Sequence, residues 1–218
     1  MYVPRPNALD DAAEIDALVA AVGAGDLVTV DADGRPQSTL LPVLWLREES
    51  RVVAHMARAN AHWRTIVDDA AALMVVNGPQ AYVSPSWYAT KREHGRVVPT
   101  WNYSAVHLRG TVRVHDDPDW VRDAVTRLTR HHESTRTPVW DVTDAPDAFV
   151  DQQLRAIVGV EIQVDAVEAK AKLSQNRSEA DRRGVVEGLR GESAAAAAEV
   201  ADAMAAGLTT RHRDASRS

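Results

Sequence analysis

Apolar residues at Ile15, Leu18, Val19 and Val22 fall on an i, i+3, i+4, i+7 stripe with acidic residues ahead of them. That spacing predicts a helix from Asp10 to Ala24, closed by Gly23 and Gly25. Leu27-Val28-Thr29-Val30 reads as a buried strand, and Asp33-Gly34 as the turn of a hairpin. The return strand runs from Gln37 to Leu46. Pro42 lies inside it without an N–H to give a ladder, which predicts a sheet edge or a bulge there. Arg51–His55 and Ala71–Val76 are further apolar strands, separated by a short helix around Trp63.

From Ala105 the pattern alternates. Val106, Leu108, Val112 and Val114 point one way, and His107, Arg109, Thr111 and Arg113 the other. Asp119 to His132 has the stripe of an amphipathic helix, and Ile157 to Val164 alternates again. Six or seven strands with short turns and a few rim helices predict a mainly β fold, a small antiparallel barrel with peripheral helices. Ser178 with Asp181 resembles a capping box for a helix reaching Leu189, stopped by Gly191. Residues 1–190 are therefore expected to form the barrel domain, and 191–218 an extension. In the extension, Ser193–Ala206 is an alanine-rich helix with little to bury, expected at the periphery or on a partner subunit. Thr209–Ser218 is polar and Arg-rich, expected as a disordered tail.

Composition narrows the function. The chain has no cysteine, which removes disulfides, thiolate nucleophiles and Cys-based metal sites. No His/Asp/Glu set has metal-ligand spacing, so no protein-bound metal is expected. The start, Met1-Tyr2-Val3-Pro4-Arg5-Pro6, has no apolar h-region, and no apolar run approaches a membrane span. The expectation is a cytoplasmic protein. Net charge is -6, the basic residues are scattered along the chain, and no helix-turn-helix is recognisable, so direct DNA binding is not expected.

Aromatic residues make up only 5% of the chain, yet Tyr82, Trp87, Tyr88, Trp101 and Tyr103 cluster within one run from Gly78 to Gly110. They alternate with turn-formers and small polar residues rather than with aliphatics. That composition suits the walls of a pocket for a flat ligand with a polar end. A Tyr/Trp-rich protein interface has similar chemistry and stays open as the alternative.

The motifs His55-Met56-Ala57-Arg58-Ala59-Asn60, Gly78-Pro79 with Tyr82-Val83-Ser84-Pro85-Ser86-Trp87-Tyr88, Val98-Pro99-Thr100-Trp101-Asn102-Tyr103 and Lys172-Leu173-Ser174-Gln175-Asn176-Arg177 are specific. With the opening Met-Tyr-x-Pro, they resemble the PaiB family of FMN-binding negative transcriptional regulators over nearly the whole chain to about Leu189. The resemblance implies an FMN-binding split β-barrel, akin to pyridoxamine phosphate oxidases, working as a homodimer with the flavin near the subunit interface. The extension after Gly191 leaves the family pattern.

An FMN site needs a cradle for its phosphate, partners for the ribityl chain and a wall for the ring. The strand end at His55 and the turn of Arg58, Ala59 and Asn60 suit the phosphate, with hydroxyls from Ser38 and Thr39. Trp87, Tyr88, Trp101 and Tyr103 are candidates for the ring wall, the last two also as cofactor ligands. Lys172, Ser174, Gln175, Asn176 and Arg177 follow the last strand; in the barrel class that segment reaches the partner's flavin. Three functions fit: a regulatory FMN protein responding to a metabolite or redox state, an FMN-dependent oxidoreductase on a small substrate, and a haem-binding or haem-degrading protein.

Overall fold

The computed structural model describes the backbone of residues 1–215 and the side chains up to residue 208. Helix α1 (Ala12–Val22) starts at Asp11, whose carboxylate accepts the N–H of Glu14, and stops at Gly23 in the left-handed region (φ 66°). Gly25, expected to help close the helix, already belongs to β1 (Ala24–Val30). β2 (Pro36–Leu46) returns antiparallel, and Pro42 pairs with Ala24 at the end of that ladder. From Val43 onward β2 pairs instead with β3 (Arg51–Ala57). The proline thus stands where the strand changes partners, and its missing N–H costs no ladder bond.

The remaining elements are β4 (Ala70–Val83), α2 (Thr90–His94), β5 (Thr100–His115), α3 (Pro118–Glu133), α4 (Asp147–Leu154), β6 (Ile157–Lys172), α5 (Glu179–Arg190) and α6 (Ala195–Ala215). Six strands close on themselves in the order β1-β2-β3-β6-β5-β4. This is an antiparallel split barrel accompanied by helices, as the alternation predicts. β4, β5 and β6 run longer than the apolar stretches suggest, because their distal halves carry aromatic and polar residues in place of alternating aliphatics.

The chain divides into two compact units, one of residues 11–76 and 106–168, the other of 1–10, 77–105 and 169–218. In the first, Leu27, Val43, Val52, Met74, Leu108, Val112, Val160 and Ile162 form a dry interior with relative exposures of 0–1%. Ala124 and Leu128 of α3 bury against Leu44 and Val53. In β6, Gly159 leaves room for the ring of Trp120, and a Cβ there would stand 2.1 Å from Trp120 Cζ3.

The second unit has its own core: Ala81, Val83 and Tyr88 with Val185, Val186 and Leu189 of α5 and Ala197, Val200, Ala201 and Met204 of α6. The alanine-rich helix is therefore not peripheral. Small side chains let it lie close to α5, and Val200 and Met204 supply the apolar area, at about 25 cal/mol per Å² buried. Its backbone is helical through Ala215; of the expected Thr209–Ser218 tail, the side chains and residues 216–218 lie outside the described residues. The capping box is only half formed. Ser178 Oγ accepts the Asp181 N–H, but the buried Asp181 carboxylate turns to the N–H and hydroxyl of Thr90.

Candidate functional site

In the first unit, β3 ends at Ala57 and the chain turns through Arg58, Ala59 and Asn60 into a 3-10 turn, Ala61–Thr65. Asn60 Oδ1 accepts the His62 N–H at 3.0 Å. A backbone N–H can only donate, so the amide orientation is fixed and Nδ2 faces Thr39 Oγ1 at 3.2 Å. The His62 ring extends the network, with Nδ1 2.7 Å from Thr39 Oγ1 and Nε2 2.8 Å from Thr29 Oγ1. Burial pushes this imidazole below its ordinary pKa, so near neutral pH the ring is uncharged, one nitrogen donating and the other accepting. His62 and Thr29 were not apparent as partners from the sequence. Their signal was two polar positions with no solvent-facing role, which spacing alone does not pair.

Ser38 and Thr39 are neighbours on β2 and face opposite sides of the sheet. Thr39 belongs to the His62 network, while Ser38 is exposed on the same face as the exposed Leu40. His55 is half-buried opposite Gly159. Its Nδ1 is buried without a hydrogen-bond partner, and burial lowers its pKa.

Arg58 is engaged within the chain. Nε donates to the Arg155 carbonyl at 2.9 Å, and Nη2 donates to the Ile157 carbonyl at 3.0 Å and to Asp116. The guanidinium in turn holds the Asp116 carboxyl below the usual range. The N–H of Arg58 goes to Ala156 O and that of Asn60 to Ala57 O, so the turn's offer of backbone N–H groups narrows to Ala59. A cleft of about 550 Å³ opens beside Arg58, lined also by Asp116, Asp119, Arg122, Asp151 and Arg155. Three arginines face three aspartates there, which gives a phosphate no net attraction.

The second unit gathers the other candidates. Lys172 Nζ donates to Thr100 Oγ1 and to the Trp101 carbonyl at 2.6 Å, and desolvation lowers its pKa. Asn102 is fully buried and exchanges hydrogen bonds with Ser174 Oγ at 3.0 and 3.2 Å. Ser174 itself adopts φ 60°. Arg177 lies with Cζ 4.7 Å from the centre of the Tyr88 ring. Lys172, Ser174, Asn176 and Arg177 line a cleft of about 290 Å³ with Tyr88, Thr100, Asn102 and Asn7. Tyr88 is 2% exposed, so it is no open wall, and its hydroxyl has no partner.

Gln175 braces the same loop, accepting the Leu173 N–H at 2.7 Å and donating to the Ala171 carbonyl. Trp101 is 45% exposed, tilted against Tyr82 at 6.4 Å, with its indole N–H on Gln80. Tyr103 packs under Lys170, whose Nζ is 5.1 Å from its ring centre and donates to the Tyr2 carbonyl at 3.2 Å. Asn102 did carry a legible signal, a polar residue at the inward parity of β5 alongside Val106 and Leu108.

The basic residues divide almost evenly between the two units, and the acidic ones do not. The second unit carries 13 Lys and Arg against 9 Asp and Glu, the first 12 against 22. Among the described residues no group of three His, Asp or Glu side chains could hold a metal ion, and no helix is long and apolar enough to cross a membrane.

Residues 1–166 match the family model described as "Putative FMN-binding domain". The chain is 33% identical over 207 residues to the protease synthase and sporulation protein PAI 2 of Bacillus subtilis (strain 168), across 94% of this chain and 96% of that protein. Among solved structures it is similar to the conserved hypothetical protein Rv2991 from Mycobacterium tuberculosis. That likeness has a TM-score of 0.58 at 13% identity, over 82% of this chain and 95% of that one. The FAD and heme binding protein from Mycobacterium smegmatis gives 0.57 at 16% identity, over 76% and 73%. At such identities the likeness is one of fold.

Proposed function

The chain belongs to the FMN-binding domain family, and on that footing we propose that it is a regulatory flavoprotein, which holds FMN as a sensing group and does not turn over a substrate as its main task. FMN is its cofactor; when bound, it supplies an isoalloxazine ring that takes up and releases electrons. The near full-length relative in Bacillus subtilis is named for sporulation and protease synthesis, which supports a regulatory role. A homodimer is part of this reading.

The observation that carries it is the lining of the Lys172–Arg177 cleft. Two cations, the amides of Asn7 and Asn176 and the hydroxyl of Thr100 suit the phosphate and ribityl groups of FMN, with Asn102, Ser174 and Tyr88 buried behind them. No histidine, aspartate or glutamate lines it, and its titratable groups are Lys172, Arg177 and Tyr88. Such a site binds and orients. In the other unit, the Thr39–Asn60–His62 network holds the turn after β3 in one shape, with Ser38 and Leu40 presenting a hydroxyl and an apolar surface.

Two measurements together test the reading. Holoprotein mixed with NADH or NADPH and a range of electron acceptors should show no sustained turnover, well below the roughly 10 s⁻¹ of a typical enzyme. Deleting the gene should change transcript levels of other genes, and complementation with a chain unable to bind FMN should fail to restore them. Steady nicotinamide oxidation with unchanged transcripts would favour the oxidoreductase reading instead.

A further inference from the structure

We propose that the cleft walled by Tyr82, Trp87 and Trp101 is a binding site for a compact organic cation of the quaternary ammonium kind. It shares no lining residue with the Lys172–Arg177 cleft and stands apart from the cofactor reading. Trp101, expected from the sequence beside the flavin, lines this cleft and not that one. The first observation is exposure. Tyr82 is 49% and Trp101 45% exposed, although the same unit buries an apolar core against α5 and α6. Large aromatic faces left open side by side mark a contact surface, and here they line a recess of about 250 Å³. That is below the roughly 300–1,000 Å³ of pockets for drug-sized ligands, so the occupant is a small group.

The second observation is the way the rings are held. Tyr82 of β4 and Trp101 of β5 form a wedge, their centroids 6.4 Å apart and their planes at 58°. The indole N–H of Trp101 donates to Gln80 Oε1 at 3.1 Å, and the Trp101 carbonyl accepts from Lys172. Trp87 is lodged in a notch of α5. A Cβ at Gly188 would stand 2.3 Å from its ring, and one at Gly184 2.1 Å from its carbonyl oxygen. The aromatic walls therefore have little freedom to lose when a ligand enters.

The third observation is charge. Glu192 is the cleft's one charged lining residue, and no lysine, arginine or histidine lines it. Its carboxylate has no ion-pair partner among the described residues. This holds in a unit where basic residues outnumber acidic ones by 13 to 9. Aromatic faces attract a cation through the ring quadrupole, and a carboxylate beside them adds to that attraction. A bare ammonium carries N–H donors that each need an acceptor, and Gln80 Oε1 is already engaged with Trp101. A quaternary ammonium has no such need and presents its methyl groups to the rings.

Saturation transfer to the methyl protons of choline, titrated into the FMN-loaded and the flavin-free full chain at constant ionic strength, tests the site. The control ligand is the alcohol in which carbon replaces the choline nitrogen. The variants are Trp101→Leu and Tyr82→Leu, which keep apolar bulk without a π face, and Glu192→Gln. Choline should bind both forms of the parent chain alike, about tenfold or more tighter than the alcohol. Each leucine variant should weaken choline binding about fivefold, and Glu192→Gln about twofold. The proposal is overturned if choline does not bind, if the alcohol binds as well, or if the folded leucine variants keep full affinity. It is equally overturned if FMN abolishes choline binding, which would give the cleft to the flavin. The alcohol comparison uses the parent chain alone, so it decides the matter even where a variant fails to fold.

Discussion

Arg58 and Asp116 form an ion pair that ties the turn after β3 to the approach to α3, and the same guanidinium holds the carbonyls of Arg155 and Ile157. Arg58 reads from the sequence as a phosphate ligand; in the fold its Nε and Nη2 also clamp its own chain. Arg58→Ala should lower stability by about 1 kcal/mol through the lost carbonyl bonds. Asp116→Asn should change it by less than about 0.5 kcal/mol, because that carboxylate is 62% exposed. Urea unfolding measures both. A large drop in FMN affinity in Arg58→Ala without any loss of stability would return the residue to the phosphate.

Acid should weaken the fold before any ordinary carboxylate titrates. Desolvation is the largest cause of a lowered pKa at His55, His62, His107, His115 and His131. Each folded-state pKa lies below the ordinary 6.5, so the unfolded chain takes up protons first. The stability these rings contribute is complete above about pH 6.5 and declines as pH falls below it. Urea midpoints should therefore drop between pH 7.5 and pH 5.5, and His62→Gln should flatten part of that slope. A midpoint independent of pH across this range would contradict the burial of these rings.

Helix α6 should prove integral to its unit. Met204 and Val200 are fully buried, and Met204 Sδ lies 3.3 Å from the Asn102 amide. Met204→Ala should cost about 2–4 kcal/mol by the cavity it leaves, measured by denaturant unfolding. A change under about 0.5 kcal/mol would mean that the helix is dispensable.

What was legible in the sequence follows from what periodicity encodes. Val106, Leu108, Val158, Val160 and Ile162 alternate because one face of each strand is dry, so strands and barrel could be read directly. Gly23 and Asp11 act locally, and so do Asn60 and Ser178 as helix caps; short-range chemistry of that kind survives in one dimension. The burial of α6 did not, because alanine states helix propensity without saying which neighbour lies close. Nor did the fate of Arg58, whose partners come from 58 to 99 positions away. The Lys172–Arg177 motif stood out by composition, and the fold adds its partners: Thr100, Asn102 and the unpaired Tyr88 hydroxyl.

The central claim is that this chain binds FMN, and direct titration of purified, flavin-free protein with FMN tests it most directly. Quenched flavin fluorescence with a stoichiometry of about one FMN per chain, a dissociation constant at or below the micromolar range (about -8 kcal/mol or tighter) and weaker binding of riboflavin is the result this account predicts. No change in flavin fluorescence or absorption at FMN concentrations near 0.1 mM, roughly a hundred times that constant, from a chain that is folded by circular dichroism, would contradict it.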